Sequence, residues 1–319
     1  RSSAALVVDG QAQPLRVGGL VVHRPDLRPF HPINAIEKLL DADGYRRFVS
    51  LDTIMEPMLS SGPAVTELDA DRTVMQFDLC HTLQELELKL TGTDHDPRPV
   101  FAYSLAQNLH ISNVFSAKVP AGESYPGFFG PLASRLRRLD GCFGDFVGYL
   151  KRARLYDNSI IVFLSDHGDA LGEDGAWGHG VPLLPQVVRI PLIIHVPDRL
   201  KSRVTADLTQ VSFSSDIAPT LYQLTGHPPR DLGPLFGRPV VVPWDTPLTD
   251  DRRRESFLLV SSYAPTYAVL RRNGRLLYIA DLVNCREYGY YLTYAPLGTR
   301  IQVTDAERRV NRGLIRAQV

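Results

Sequence analysis

A tetrapeptide that follows a strongly apolar run carries the side chains best suited to metal chemistry. Residues Ile160–Leu164 form a β-branched and aromatic run typical of a buried central strand, and Ser165-Asp166-His167-Gly168 follows directly. In open α/β sheets, ligands bind beyond the carboxyl ends of the strands. A carboxylate and a neutral imidazole suit a divalent transition metal better than calcium, which prefers oxygen ligands. Asp166 and His167 are therefore candidate metal ligands, provided that Gly168 lets the backbone turn sharply.

Two further histidines are expected near the same crevice. His179 lies across a glycine-rich loop from the tetrapeptide, and Gly178 and Gly180 on either side of it leave its ring free to turn inward. His110 comes just after the apolar segment 100–105, a predicted strand that should end at the same edge of the sheet. Two strand ends would then supply three histidines and one aspartate to the same crevice.

Each of these residues also has a structural interpretation. Asp166 can cap the segment that follows it, His167 can pack or face solvent, and His179 can be an ordinary loop histidine. His195 lies within an apolar segment and is expected to be a hydrogen-bonded core residue. The other histidines have no placement that suggests chemistry and are expected to be structural or exposed: His23, His31, His81, His95 and His227.

Composition and missing motifs exclude several classes of protein. The chain has 35 basic and 35 acidic side chains, so its net charge gives no reason to expect nucleic-acid binding. The sequence contains no GxSxG, GxxxxGK[ST], GxGxxG or HExxH motif. The usual serine hydrolase, nucleotide-binding, dinucleotide-binding and zinc-protease signatures are therefore absent.

Alternating strand-like and helix-like segments predict an α/β fold, with a sheet covered by helices. Apolar periodicity predicts helices at residues 33–43, 81–90 and 136–150, and strands at 47–51, 100–105, 160–164 and 190–196. Beyond about residue 236 the segments become short and strand-like, at 257–260, 267–270 and 276–279, with a hairpin turn at Asn273-Gly274. We therefore predict an α/β core over residues 1–235 and a smaller strand-rich subdomain over residues 236–319.

Four segments, taken in order, resemble those of one known family. They are a strand with its metal-binding turn, the loop after it, the next strand and a helix that closes the core: Leu155–Asp169, Leu171–His179, Arg189–Ile194 and Ser214–Gly226. In these segments the chain is similar to the sulfatases of the alkaline phosphatase superfamily. The resemblance covers about residues 1 to 300 and is weakest at 55–95 and beyond 240.

The resemblance implies both a fold and an active site. The fold would be a mixed sheet sandwiched by helices, with a small strand-rich carboxyl-terminal subdomain. Asp166 and His167 would hold one divalent metal ion (Mn, Zn, Mg or Ca), and the histidine ligand favours Mn or Zn. His110 and His179 would bind the oxyanion of the ester or protonate the leaving oxygen. The substrate would be a small-molecule, glycan or lipid sulfate or phosphate ester, handled outside the cytoplasm.

Two positions differ from the pattern of many sulfatases. Where this chain has His167 and His179, many of those enzymes have asparagine and lysine. Histidines at these positions also occur in relatives that act on phosphonate monoesters or on phosphoglycerol and phosphoethanolamine groups. No Asp-x-x-x-His precedes the metal-binding turn, which disfavours the two-metal phosphatase branch. A sulfuric ester hydrolase is the favoured interpretation, with a phosphorus-ester hydrolase or transferase as the alternative.

The beginning of the chain resembles the stretch that immediately follows the nucleophile in this family. Arg1 would be the arginine of the nucleophile motif and would bind substrate, so the Cys, Ser or Thr nucleophile and the remaining metal carboxylates are expected upstream of it. A third interpretation is a non-catalytic relic that binds a metal or a partner without turnover. The residues before Arg1 would distinguish this relic from the enzyme.

Overall fold

The protein divides into two compact units, Arg1–Ala106 and Gln107–Val319, in a computed structural model. The residues described are 5–8, 11–17, 20–22, 40, 43–52, 65–92, 96–227, 237–247, 255–261, 263–292 and 297–319. The fold is mixed α/β with a strand-rich carboxyl-terminal sheet, as the sequence predicts. The predicted domain division at residue 236 stays a prediction. No helix in the described ranges is long and apolar enough to cross a bilayer.

The first unit contains two three-stranded sheets and one helix within its described residues. The first sheet is antiparallel: β1 (Ala5–Val8), β2 (Gln11–Val17) and β3 (Leu20–Val22). The second is parallel, with β4 (Arg46–Ser50) between β5 (Val65–Leu68) and β6 (Val100–Tyr103). Helix α1 (Leu79–Thr91) follows β5. The predicted strands at 47–51 and 100–105 and the predicted helix at 81–90 are thus confirmed. Of the predicted helix at 33–43, only Leu40 and Asp43 are described, and Leu40 is helical.

The second unit begins with two helices, followed by the strands that carry the candidate site. The helices are α2 (Ile111–Ser116) and α3 (Gly130–Arg152), and the strands are β7 (Ile161–Leu164), β8 (Ala170–Leu171), β9 (Trp177–Gly178) and β10 (Leu192–His195). Strand β7 pairs antiparallel with β10, and β8 pairs antiparallel with β9.

The predicted apolar stripe of the long helix α3 is confirmed. Leu139, Phe146 and Leu150 are buried along one side. The ring centroid of Phe143 lies 5.1 Å from that of Phe163 in β7, so the stripe packs on this strand. This packing fixes the orientation of β7 and therefore the position of the turn that follows it.

Strand β7 is less buried than its sequence suggests. Its residues are only partly buried, Leu164 is 37% exposed, and Ile193 on the paired strand is 60% exposed. The expectation of a central strand buried on both faces was therefore wrong. The reason is that β7 pairs with β10 alone among the described residues, which leaves its other edge without a neighbouring strand.

The rest of the second unit is a set of short elements leading into an antiparallel meander. The short elements are α4 (Pro185–Val188), α5 (Asp198–Lys201), β11 (Val204–Ala206), α6 (Ile217–Leu224) and β12 (Val241–Pro243). The meander consists of β13 (Phe257–Val260), β14 (Thr266–Arg271), β15 (Leu276–Asp281), β16 (Arg286–Tyr291) and β17 (Thr299–Ile301). Helix α7 (Asp305–Gln318), which sequence analysis did not identify, ends the chain.

The meander packs directly on the segment that follows the candidate site. The turn at Asn273-Gly274 joins β14 and β15, with φ of 53° and 73°, so the predicted hairpin is confirmed. Leu270, Leu277 and Ile279 of the meander share one buried core with residues 183–187. This shared core gives the loop around His179 a rigid support.

Candidate active site

The turn after β7 is held by its own polar groups. The Ser165 hydroxyl donates to the carbonyl oxygen of His167. The backbone N–H of His167 donates to Oδ1 of Asp166 at 2.9 Å. These bonds leave the second carboxylate oxygen of Asp166 and the ring of His167 on the outer side of the turn, where the two side chains are 57% and 35% exposed.

Gly168 is required because the chain packs closely against it, and its backbone does not use a positive φ. Gly168 is not among the residues with positive φ. Its N–H donates to the carbonyl of Val187 at 2.9 Å, and an added Cβ would lie 2.0 Å from the carbonyl oxygen of Gln186. Only a residue without a side chain lets helix α4 approach the turn this closely.

Asp166 and His167 have the geometry of a shared metal site. Oδ2 of Asp166 lies 3.5 Å from Nε2 of His167, close enough for both atoms to bind one ion at about 2.1 Å each. Nδ1 of His167 lies 3.0 Å from the carbonyl oxygen of Gly168, which can only accept a hydrogen bond. Nδ1 therefore carries the proton, and Nε2 keeps the lone pair that a metal needs. The donor set fits a divalent cation.

The β8–β9 hairpin places Asp169 opposite His179. Ala170 pairs with Gly178, so the next pair outward is Asp169 with His179. Oδ1 of Asp169 lies 2.8 Å from Nδ1 of His179, and both side chains are mostly buried, with 15% and 21% exposed. Because a carboxylate is an acceptor only, Nδ1 donates, and Nε2 of His179 is left to face the crevice. Sequence reasoning missed Asp169, since its role depends on the hairpin register.

His110 has the opposite tautomer to His167 and His179, with its proton on Nε2. It is the N-cap residue of α2, and its Nδ1 accepts the backbone N–H of Ser112 at 3.4 Å and lies 2.8 Å from the Ser112 hydroxyl oxygen. Since Nδ1 is the acceptor, the proton is on Nε2, which can donate to a bound oxygen.

The predicted site residues of the second unit come together. The rings of His167 and His179 stack with centroids 3.7 Å apart, and those of His110 and His179 meet edge to face at 6.2 Å. The candidate metal ligands Asp166 and His167, the aspartate-bound His179 and His110 therefore lie in one crevice. Arg1 lies outside the described residues. His195 bonds the carbonyl of Tyr156 at 3.1 Å and stacks on its ring, as expected for a structural histidine.

A second group of potential metal ligands surrounds Asp69, and its polar atoms already have hydrogen-bond partners. Oδ2 of Asp69 accepts hydroxyl hydrogens from Ser50 and Thr82, both at 2.7 Å, and Oδ1 lies 3.0 Å from Nδ1 of His81. Glu85 accepts the backbone N–H of Asp69 at 2.8 Å. Because these carboxylates already have their partners, the network holds the start of α1 and offers no open coordination position.

The hairpin that carries His179 is tied to the meander at its tip. Asp174, which has a φ of 51°, accepts hydrogen bonds from the Tyr290 hydroxyl and from Nη1 of Arg300. Burial and then the bond to Asp174 raise the pKa of Tyr290 well above its ordinary value. At the other end of the hairpin, the Ser261 hydroxyl donates to the carbonyl of Gly180 at 2.7 Å.

Comparison with known proteins identifies the family. The family model named Sulfatase matches residues 80–227, which include every residue of the crevice. The chain is 32% identical over 145 residues to the choline-sulfatase of Rhizobium meliloti, a match covering 44% of this chain and 26% of that protein. It is 31% identical over 138 residues to the N-acetylglucosamine-6-O-sulfatase of Bacteroides thetaiotaomicron, covering 43% and 24%. Residues 80–227 belong to the sulfatases of the alkaline phosphatase superfamily.

A solved structure has a similar fold. An alkaline phosphatase superfamily protein from Vibrio parahaemolyticus matches with a TM-score of 0.55 and 17% identity, over 85% of this chain and 64% of that one. The aligned regions span about a quarter of the length of the two curated sulfatases.

Proposed function

We propose that this chain carries the metal-binding and proton-transferring part of a metal-dependent sulfuric ester hydrolase. One observation carries the proposal: the ring of His179, held by Asp169, stacks at 3.7 Å on the ring of His167, whose Nε2 lies 3.5 Å from Oδ2 of Asp166. In this arrangement, His179 would transfer protons beside a divalent cation held by Asp166 and His167. Family membership and the sulfatases among the relatives support the assignment to sulfate esters.

Asp166 and His167 would hold the metal ion. A bound divalent cation neutralises charge on the oxygens of the ester and polarises the sulfur centre. The mixed oxygen and nitrogen donor set favours Mn or Zn over Ca. The two side chains keep their open faces toward the crevice, where an ester can approach.

His110 and His179 would act on different oxygens of the ester. The Nε2–H group of His110 donates to a non-bridging oxygen and so orients the ester. When both ring nitrogens of His179 carry a proton, its Nε2–H group donates that proton to the bridging oxygen, so that the alcohol leaves as a neutral molecule. Asp169 stabilises the charge that His179 carries when it holds both protons.

The nucleophile and Arg1 remain predictions from the resemblance. A Cys, Ser or Thr just before Arg1 would attack the sulfur atom and form a covalent intermediate that water then hydrolyses. Peptide mapping of the amino terminus of the purified protein tests this directly. Peptides that read into such a motif support the enzyme, and a protein that begins at Arg1 supports the non-catalytic relic.

A second candidate function is supported by the imidazoles at positions 167 and 179, where many sulfatases have asparagine and lysine. It is hydrolysis or transfer at phosphonate and phosphate esters, including phosphoglycerol and phosphoethanolamine groups. The test compares kcat/KM of the full-length protein for 4-nitrophenyl sulfate, choline sulfate, N-acetylglucosamine 6-sulfate and a 4-nitrophenyl phosphonate monoester. Higher kcat/KM for a sulfate ester supports the first function. Higher kcat/KM for the phosphonate supports the second, and no turnover of any ester refutes both.

A further inference from the structure

Three aromatic rings form a partly exposed wall in the second unit. The ring centroid of Phe115 lies 5.3 Å from that of Trp177 and 5.7 Å from that of Phe129. Phe115 and Trp177 remain 49% and 54% exposed despite these contacts. Large aromatic side chains left half exposed in a cluster are typical of a binding surface.

The wall borders the histidines because the same two elements carry both. Phe115 belongs to α2, the helix that His110 caps, and Trp177 lies on the hairpin strand that leads into His179. The contact between α2 and the hairpin thus contains two pairs, His110 with His179 at 6.2 Å and Phe115 with Trp177 at 5.3 Å. The aromatic pair and the histidine pair therefore both lie at the contact between the same two elements.

An apolar groove continues the wall. It has a volume of about 340 Å³ and lies between the start of α3 and the hairpin, lined chiefly by Phe128, Phe129, Leu132, Leu136 and Leu171. Phe128 is 77% exposed. The only charged side chain in the lining is that of Glu173, whose carboxylate already accepts the backbone N–H of Leu171.

We propose that this wall and groove bind the alcohol part of the ester and that this alcohol is an aryl or alkyl group. The inference rests on the proposed ester hydrolase function. An apolar group gains by leaving water for this groove. The hydroxyl groups of a sulfated sugar would need polar partners, and the one charged side chain of the groove lining, Glu173, already accepts the backbone N–H of Leu171. The volume is that of a small ligand pocket and accommodates an aromatic ring or a medium alkyl chain.

The kinetic test uses the full-length protein and a series of alkyl sulfates from methyl to dodecyl, with N-acetylglucosamine 6-sulfate for comparison. We expect kcat/KM to rise on the order of tenfold or more from methyl to octyl, since each buried methylene adds to binding in an apolar pocket. Trp177→Ala and Phe115→Ala should lower kcat/KM for octyl sulfate at least tenfold more than for methyl sulfate. Trp244→Ala, which removes the other tryptophan, a 69% exposed one, should leave the whole series unchanged.

A binding measurement separates this inference from the proposed function. The chain has two tryptophans, so the Trp244→Phe variant reports on Trp177 alone. Its fluorescence should change saturably with octane-1-sulfonate and not with inorganic sulfate. Absence of turnover with a saturable signal would refute the hydrolase function and keep the apolar site. Turnover without any dependence on alkyl length, together with no fluorescence change, would overturn the apolar site alone.

Discussion

Asp169 and His179 face each other across the base of the β8–β9 hairpin, with Oδ1 of the aspartate 2.8 Å from Nδ1 of the histidine. The pairing of Ala170 with Gly178 sets this contact. The hydrogen bond that the Tyr290 hydroxyl donates to Asp174 holds the far end of the hairpin against the meander. The orientation of His179 therefore depends on its own partner and on an anchor in a distant part of the sequence.

Replacing the aspartate should impair the chemical step. In Asp169→Asn, the neutral amide no longer stabilises a protonated His179 and no longer dictates its tautomer. We expect kcat for the preferred ester to fall about 10- to 100-fold, the usual cost of losing a carboxylate that orients a functional histidine, with KM changed much less. Asp198→Asn is the matched control, because Asp198 is an exposed aspartate that pairs with Lys201 of its own helix. An unchanged kcat in folded Asp169→Asn would show that the pair is structural.

Removing either proposed ligand should abolish metal binding. Asp166→Ala and His167→Ala each delete one of two donor atoms that lie 3.5 Å apart, and elemental analysis of purified, dialysed protein should show loss of the bound ion. His81→Ala is the control, since His81 belongs to the satisfied network around Asp69. Loss of the metal ion in His81→Ala, together with its retention in Asp166→Ala and His167→Ala, would show that the ion binds in the first unit instead.

The local parts of this site could be predicted from the sequence. The turn with Asp166 and His167 follows a strand that a continuous apolar run specifies, so its place along the chain needed no tertiary information. The partner of His179 could not be foreseen, because the choice of Asp169 depends on a hairpin register fixed by a loop with two positive-φ glycines, Gly172 and Gly175.

Two features of the fold show the same contrast between what the local sequence specifies and what depends on tertiary structure. The exposure of Leu164 was missed because an apolar run does not reveal how many strands flank it. Helix α7 was missed although Thr304 and Glu307 form a capping box at its start, a local signal that was present in the sequence.

Gly168 should tolerate no side chain. Gly168→Ala places a Cβ 2.0 Å from the carbonyl oxygen of Gln186, and the backbone shift needed to relieve this contact should lower the free energy of unfolding by about 1–3 kcal/mol. Gly141→Ala, in α3 with open space around it, should instead raise it by about 0.5–1 kcal/mol through better helix propensity. Urea unfolding of both variants checks the contrast. Equal stability of Gly168→Ala and the wild type would contradict the close packing.

Alkaline pH should destabilise the second unit through its buried tyrosines. Burial raises the pKa of Tyr222 from 10.0 to about 12, and burial followed by the bond to Asp174 raises that of Tyr290 further. Above about pH 10 the unfolded chain loses protons that the native state retains, so stability falls as pH rises. Below pH 10 the contribution is fully present.

Urea unfolding at about pH 9 and about pH 11 measures this loss. Tyr290→Phe should show a smaller loss of stability between the two pH values, and Tyr263→Phe, a change at a side chain 73% exposed, should behave as the wild type does. An identical loss in wild type and Tyr290→Phe would count against the buried phenol as a source of alkaline sensitivity.

The proposed function requires that Asp166 and His167 bind the metal ion on which ester hydrolysis depends. Its most direct test is sulfate release from 4-nitrophenyl sulfate by the full-length protein before metal chelation, after it, and after addition of Mn²⁺ or Zn²⁺. We predict that chelation reduces release to background, that one of the two ions restores it in the wild type, and that neither restores it in His167→Ala. Sulfate release that survives chelation, or that added metal restores in full in His167→Ala, would show that this turn is not the metal site of the enzyme.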